Sequence, residues 1–353
     1  MPRSALKKVT HPKRKLSRPR RPSRTKLGVA VLAFLLGLIL FSKIGGLFGS
    51  GEDISFKNYI WNGNSTLNLV VKSDNIYVAS YNPQDSSFTI LKVPDETYAS
   101  VPLGFGRWPM RSVYDLGQAE KPLIGARLLK DTTGMLFGVP VDGYILTSGN
   151  FGTMAENARK NPFSIIGAIR ESKTDLNIVE SIRFWWGVKG VRFDRFKSAD
   201  LENSDLTSWA LLPDGSRGLE LDGLRLDQFI QSRFEDSKLK DEGLGIGILN
   251  ATDHPGLAEK AARVVTNIGG RVILTGNLEE RQHNSFVLGK DGYTQTRLSQ
   301  VFAPACIQTS WPLGLFRSGG CFLQSDSFNF SRAEVTIVLG EDYFLRYNST
   351  KGN

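Results

Sequence analysis

The first strong feature in the hydrophobic pattern is an unbroken apolar run, LGVAVLAFLLGLILF at 27–41, which reaches residue 48 if Lys43 snorkels. A spanning helix needs about 20 mostly apolar residues, and the extended run has that length. From Thr66 the period changes to two. TLNLVV, IYVASYN and FTILKVP alternate apolar and polar positions, with a turn at 82–87, and predict a strand hairpin that returns to Pro94. Helical spacing follows over 123–135, with Leu128, Leu129 and Met135 on one side, and GVPVDGYILTS then reads as a strand. Residues 150–161 read as a loop or lid. A helix is predicted over 174–189, with Thr174 as N-cap and Leu176, Val179, Ile182 and Trp186 forming its apolar stripe. The Trp185–Trp186 pair in it suits either core packing or contact with lipid headgroups. Another helix fits 224–234, and 235–243 is a charged linker that marks a domain boundary.

Beyond that linker GLGIGILN reads as a strand and ATDHPG as a turn. A helix follows over 255–268, with Leu257, Ala261, Val264, Val265 and Ile268 on one face, stopped by Gly269 and Gly270. RVILTG is the next strand, which makes a βαβ-like unit. AEVTIVLGEDYF supplies a closing strand, after a long Pro-, Gly-, Ser- and aromatic-rich segment at 304–320. The glycines of GLGIGILN lie inside a strand rather than after one, so they do not form a dinucleotide loop.

Charge sharpens the topology. Of 44 Lys and Arg in the 353 residues, 11 lie in 1–26, which holds no Asp or Glu; the rest is about neutral against 35 acids. A basic flank stays cytoplasmic, so the N-terminus is expected inside and everything after Gly49 outside. A cleaved secretory signal is the alternative, but SKIGGLFGSGED offers no Ala-x-Ala-like site. The basicity therefore reads as an orientation signal at anionic lipid rather than as a nucleic-acid site. Cys306 and Cys321 both fall in the external part. They read as a disulfide closing a loop of about 15 residues, worth about 3 kcal/mol in the chain-entropy model, with two free thiols as the alternative.

The chemistry on offer is limited. His11, His254 and His283 are the histidines; His254 sits in a turn and His283 in a polar loop, and both read as solvated. HExxH, P-loop and paired CxxC patterns are absent. Phosphate chemistry by Arg and Asp remains. Arg107 and Arg111 follow the strand hairpin, and Asp74 lies between its first two strand segments, where the three could meet at a sheet end.

These segments resemble a known family. VKSDNIYVASYNPQDSSFTILKVPDETYASVP and LLKDTTGMLFGVPVDGYI are similar to the core of the LytR-CpsA-Psr domain. GIGILNATDHPGLAEKAARVVTNIGGRVI and AEVTIVLGEDY are similar to the LytR C-terminal domain. The resemblance covers most of 64–343, with 150–214 poorly matched. It implies a mixed α/β domain followed by a smaller α/β domain, held outside the membrane by one anchor. It also implies transfer of polyprenyl-pyrophosphate-linked glycopolymer onto bacterial cell wall, using Mg²⁺ with Asp and Arg. Asp74 matches the Asp of the family's Ser-Asp-Thr, the expected catalytic and metal-holding position, while the pyrophosphate-clamping Arg falls at Asp95. A carboxylate there repels phosphate, and Arg107 and Arg111 are the candidate phosphate-binding substitutes.

The expected organisation is a basic tail (1–26), anchor (27–48), linker (49–63), LytR-CpsA-Psr-like domain (64–234), linker (235–243) and C-terminal domain (244–345). The expected function is binding or scaffolding at the cell wall, with membrane and cell-wall glycan or polyprenyl-linked glycopolymer as partners and no nucleic acid. The alternative is a Mg²⁺-dependent phosphotransferase.

Overall fold

The computed structural model describes residues 59–304 and 332–348, apart from 121–122, 203, 212–214, 216 and 290. The stretch expected as anchor, the basic tail, Cys306 and Cys321 lie outside the described residues. No described helix is long and apolar enough to cross a membrane. The described residues belong to the larger of two compact units, Ser50–Asn353.

The alternating segments form the antiparallel strands β1 (Leu67–Lys72), β2 (Ile76–Asn82) and β3 (Ser87–Val93). Alternation sends Leu67, Leu69, Tyr77, Ala79 and Phe88 to one apolar core and Val70, Ile76, Val78 and Leu91 to another. A sheet buried on both faces needs cover on both, and the sequence provides it as helices. After the hairpin β4 (Tyr98–Val101) and β5 (Gly106–Pro109), helices α1 (Met110–Gln118) and α2 (Gly125–Phe137) cover the second face. Strand β6 (Gly143–Thr147) then pairs parallel to β1. Helices α3 (Phe151–Lys160), α4 (Ser164–Arg170) and α5 (Ile178–Lys189) cover the first face. With β7 (Ser172–Thr174) and β8 (Phe196–Asp200) the sheet order is β7-β6-β1-β2-β3-β8. A ribbon of β9 (Thr207–Leu211) and β10 (Arg217–Leu221) leads to α6 (Gly223–Phe234), which returns to the α2 side.

The second half starts with α7 (Ser237–Glu242), then β11 (Gly245–Asn250), α8 (Leu257–Asn267) and β12 (Arg271–Asn277). It continues with β13 (Phe286–Gly289), α9 (Tyr293–Phe302), β14 (Val335–Leu339) and α10 (Glu341–Asn348). The order β12-β11-β14-β13 puts β11 between two parallel partners, and the expected βαβ unit is present.

Several local expectations change. Residues 150–161 are a helix, not a loop: the Asn150 side chain caps α3 by accepting from the Thr153 N–H. Asn177, not Thr174, caps α5, in a reciprocal capping box with Glu180. The charged stretch 235–243 folds as α7, whose Leu239 is buried in the second half's core. Tyr59 and Trp61 fall in the stretch expected as linker, yet Trp61 is 1% exposed in the first core.

Of the stripe expected to face inward, Leu176, just ahead of α5, is buried, but the members on the helix face outward. Val179, Ile182 and Trp186 are exposed, while Ser181, Phe184, Trp185 and Val188 are buried. Gly187 fixes that rotation, because a Cβ there would sit 2.5 Å from the Tyr81 ring. Phe88, Phe184, Trp185 and Phe151 then pack ring on ring at 5.1–6.1 Å and fill the layer between α5 and the sheet.

Candidate functional site

The three phosphate-chemistry candidates occupy separate local settings. Asp74 is exposed at the β1–β2 turn, where it accepts from the Ser73 hydroxyl at 2.8 Å and the Asn150 amide at 3.2 Å. Chiefly the Ser73 bond, against the opposing effect of burial, holds its carboxyl below the ordinary range. Arg107 on β5 is paired with Glu220 of β10 at 2.7 Å. Arg111 at the start of α1 is paired with Glu96, and its N–H donates to the Asp95 carbonyl at 3.2 Å. Both pairs are about half exposed, so each is worth about 0–1 kcal/mol and a competing phosphate can open it. Among the described residues, no group of three or more His, Cys, Asp or Glu side chains is placed to hold a metal ion. His254 is not simply solvated: its ring stacks on Phe344, and its Nε2 lies 2.9 Å from Glu341.

The strongest polar constellation joins the two halves, and the sequence reading missed it. Arg297 of α9 is 1% exposed and forks onto Asp142, just ahead of β6, at 3.0 and 3.3 Å. The Tyr59 hydroxyl donates to the same carboxylate. Asp142 also accepts the Asn68 N–H of β1 at 2.8 Å. Asp236, the N-cap of α7, lies 3.7 Å from the Arg297 Nε and accepts from the Tyr293 hydroxyl at 2.6 Å. Burial works against the Arg297 charge, but Asp142, Tyr59 and Asp236 outweigh it and push the guanidinium further up. A chain signal existed: Thr294, Leu298 and Phe302 recur at four-residue spacing on the buried side of α9, and Arg297 lies among them.

A second clamp closes the C-terminal end of α2. Arg263 of α8 forks onto Asp227 of α6 at 2.8–3.0 Å and donates to the Met135 and Leu136 carbonyls at 2.9 and 3.0 Å. Asn267 takes the Phe137 carbonyl at 3.2 Å. Three carbonyls that a helix end leaves unpaired are thus met by side chains from the other half. Gly138 permits this: its φ is +59°, and a Cβ would stand 2.7 Å from the Asn267 amide nitrogen.

Between these clamps lies a cavity of about 630 Å³, formed by the end of α2, the 138–142 loop, α8, the end of α9 and α10. Such a volume is ordinary for ligand pockets, which run roughly 300–1,000 Å³. Met135, Val139, Val141, Leu257, Val264, Val301 and Leu345 give it apolar wall. Arg127, Lys130, Lys260, Arg263 and Arg346 bring positive charge, against Asp131, Asp142 and Asp342. Asp142 is committed to Arg297, and Asp342 accepts the N–H and hydroxyl of Ser285 at 2.8 and 2.6 Å. Burial pushes the Asp131 carboxyl up, despite Lys130, Arg127 and Arg346 nearby. The cavity thus pairs apolar wall with net positive charge, which suits a ligand with an anionic group on an apolar stem.

No family model matches the chain, and no curated relative does. Among solved structures it is similar to Bacillus subtilis TagT, at 12% identity and a TM-score of 0.36, over 52% of this chain and 95% of that one. It is similar to YwtF (TagT), described as a LytR-CPS2A-psr family protein with bound octaprenyl pyrophosphate lipid, at 12% identity and TM-score 0.34, over 51% and 92%. Listeria innocua Lin1025 gives 13% and 0.35, over 48% and 97%. Likeness at this distance speaks to neither residues nor activity.

Proposed function

We propose that the chain is a single-pass cell-envelope protein, anchored through 27–48, whose extracytoplasmic part binds a polyprenyl-linked, anionic glycopolymer in the cavity between its two halves. The observation that carries this reading is the composition of that cavity: apolar wall beside five cationic and three carboxylate side chains, of which Arg263, Lys130, Asp142 and Asp342 have partners outside it. The basic flank at 1–26 supports the orientation. The resemblance of 64–343 to LytR-CpsA-Psr and LytR C-terminal sequences supports the ligand class. Holding the ligand is the role that fits, since Arg107 and Arg111 each face a carboxylate.

The test is binding of the full chain, reconstituted in nanodiscs, to a polyprenyl pyrophosphate with and without Mg²⁺, beside retention on purified cell wall. Binding that needs no Mg²⁺ and weakens with salt is expected. Absence of binding to both lipid and wall would remove the proposal.

A second reading, the Mg²⁺-dependent phosphotransferase, draws on the ionised state of Asp74, which suits a cation ligand. Arg107 and Arg111 would then leave Glu220 and Glu96 for the phosphates. Turnover of the lipid-linked substrate that stops in Asp74→Ala would establish it; Mg²⁺-independent binding without turnover would dismiss it.

A further inference from the structure

Helix α5 is apolar on two sides, and the core uses only one of them. Of the 15 large apolar side chains with high exposure among the described residues, seven fall between Phe163 and Phe193. Val179, Ile182 and Trp186 recur at helical spacing on α5 with exposures of 56, 50 and 60%. Helix α4 packs against α5 and adds Ile166 at 69%, with Phe163 ahead of it at 78%. Phe193, after α5, is 80% exposed and lies under Arg159 at the end of α3. Water contact at so many large apolar groups in one region is the mark of a docking surface.

The charge of the same stretch selects the partner. Residues 159–197 hold nine Lys or Arg and four acids. Two of those acids are consumed internally: Asp175 is buried against Lys130, and Glu180 closes the α5 capping box. A third, Asp194, is paired with Arg192 at 3.1 Å. The Lys189 ammonium lies over the Trp186 ring, 4.6 Å from its centroid. Apolar and aromatic side chains ringed by Lys and Arg match an anionic bilayer, where rings enter the headgroup level and the cations meet phosphates. A protein partner would be expected to present carboxylates, which the apolar centre of the face does not favour.

We infer that the α4–α5 face is a membrane-interface site that lays the folded part of the chain on an anionic lipid surface. This rests on the face itself, not on the anchor at 27–48 or on the cavity. It adds an orientation: α3–α5 toward lipid, the opposite face of the sheet away from it.

Tryptophan quenching by brominated lipid reads the contact directly. The full chain is reconstituted in vesicles of equal parts brominated phosphatidylcholine and phosphatidylglycerol, and compared with Trp186→Gln. Membrane insertion of the anchor alone leaves both chains equally quenched, so the difference between them reports the face. The expected result is a quenched component in the wild type that is lost in Trp186→Gln. Lys189→Glu with Arg192→Glu, the first part-exposed and the second exposed, should reduce it while the circular dichroism stays native. Equal quenching of wild type and Trp186→Gln would overturn the inference. So would an unquenched Trp186 accompanied by a dimer in sedimentation, which would make the face an interface between two copies.

Discussion

Arg297 and Asp142 meet as a buried fork-on-fork ion pair, 1% and 3% exposed, and through it the second half of the fold is locked to the strand β1 by way of the Asn68 N–H. Asp142 belongs to the loop that also forms one wall of the cavity. The same contact therefore joins the halves and shapes the candidate site.

Removing one member of such a pair leaves a bare charge in a low-dielectric interior. Arg297→Met should lower stability by about 3–5 kcal/mol, and the double substitution with Asp142→Asn should recover part of that loss. Urea denaturation of the two variants checks it. A double variant no better than the single one would mean that Arg297 acts chiefly through Tyr59 and Asp236.

Gly138 should also be sensitive, though less so, despite carrying no side chain. Gly138→Ala places a Cβ in the left-handed region and against the Asn267 amide, and should cost about 1–2 kcal/mol. The cost should be smaller when Asn267→Ala is already present, because the obstructing amide is gone. Thermal denaturation of the two backgrounds separates backbone strain from the clash.

Much of the fold was legible in the chain because its central strands are short, rich in apolar residues and bounded by turns. β1, β2 and β3 lie where TLNLVV, IYVASYN and FTILKVP predict them, and α8 buries Leu257, Ala261, Val265 and Ile268 as its spacing requires. Where an element had two apolar sides, periodicity could not choose. On α5 the rotation is decided by Tyr81 lying over Gly187, a contact between residues far apart in sequence. The junction was hidden for the same reason: Arg297 and Asp142 are 155 residues apart, and neither is unusual in its local sequence. Asp74, Arg107 and Arg111 stood out by residue type, but their carboxylate and amide partners come from β10, from the segment after β3 and from the cap of α3.

The adjacent tryptophans should behave oppositely. Trp185 is 2% exposed among Phe151 and Phe184, and Trp185→Ala should cost about 3–5 kcal/mol. Trp186, 60% exposed, should cost within about 0.5 kcal/mol in Trp186→Ala when no membrane is present. Equal losses in detergent would mean that the rotation of α5 differs from the one described.

Ligand affinity should track two cavity cations, the exposed Lys260 and Arg127, which is paired with Asp131 at 3.5 Å. Lys260→Ala and Arg127→Ala should each weaken binding of an anionic lipid-linked glycan by about 1–2 kcal/mol, roughly five- to thirtyfold, with a shallower salt dependence. Arg107→Ala and Arg111→Ala should leave that affinity unchanged if the cavity is the binding site. Calorimetric titration of the four variants distinguishes the two locations.

Asp131 gives a pH dependence whose sign is fixed. Its folded carboxyl is pushed above the ordinary 3.8, chiefly by burial. The folded chain therefore holds that proton more tightly than the unfolded one, and this group's contribution to stability falls as pH rises from near 3.8 to the folded value. Above the folded value the contribution is flat. Asp131→Asn has no such proton to lose. The stability of the variant relative to wild type should therefore increase across this window and level off above the folded value. Any constant offset from the lost Arg127 contact leaves that slope unchanged. Urea denaturation of both chains at a series of pH values from the carboxylate range to neutral measures it. A relative stability that declined with rising pH would mean that Arg127, Lys130 and Arg346 outweigh burial, and that the cavity holds a fully ionised Asp131 against its cations.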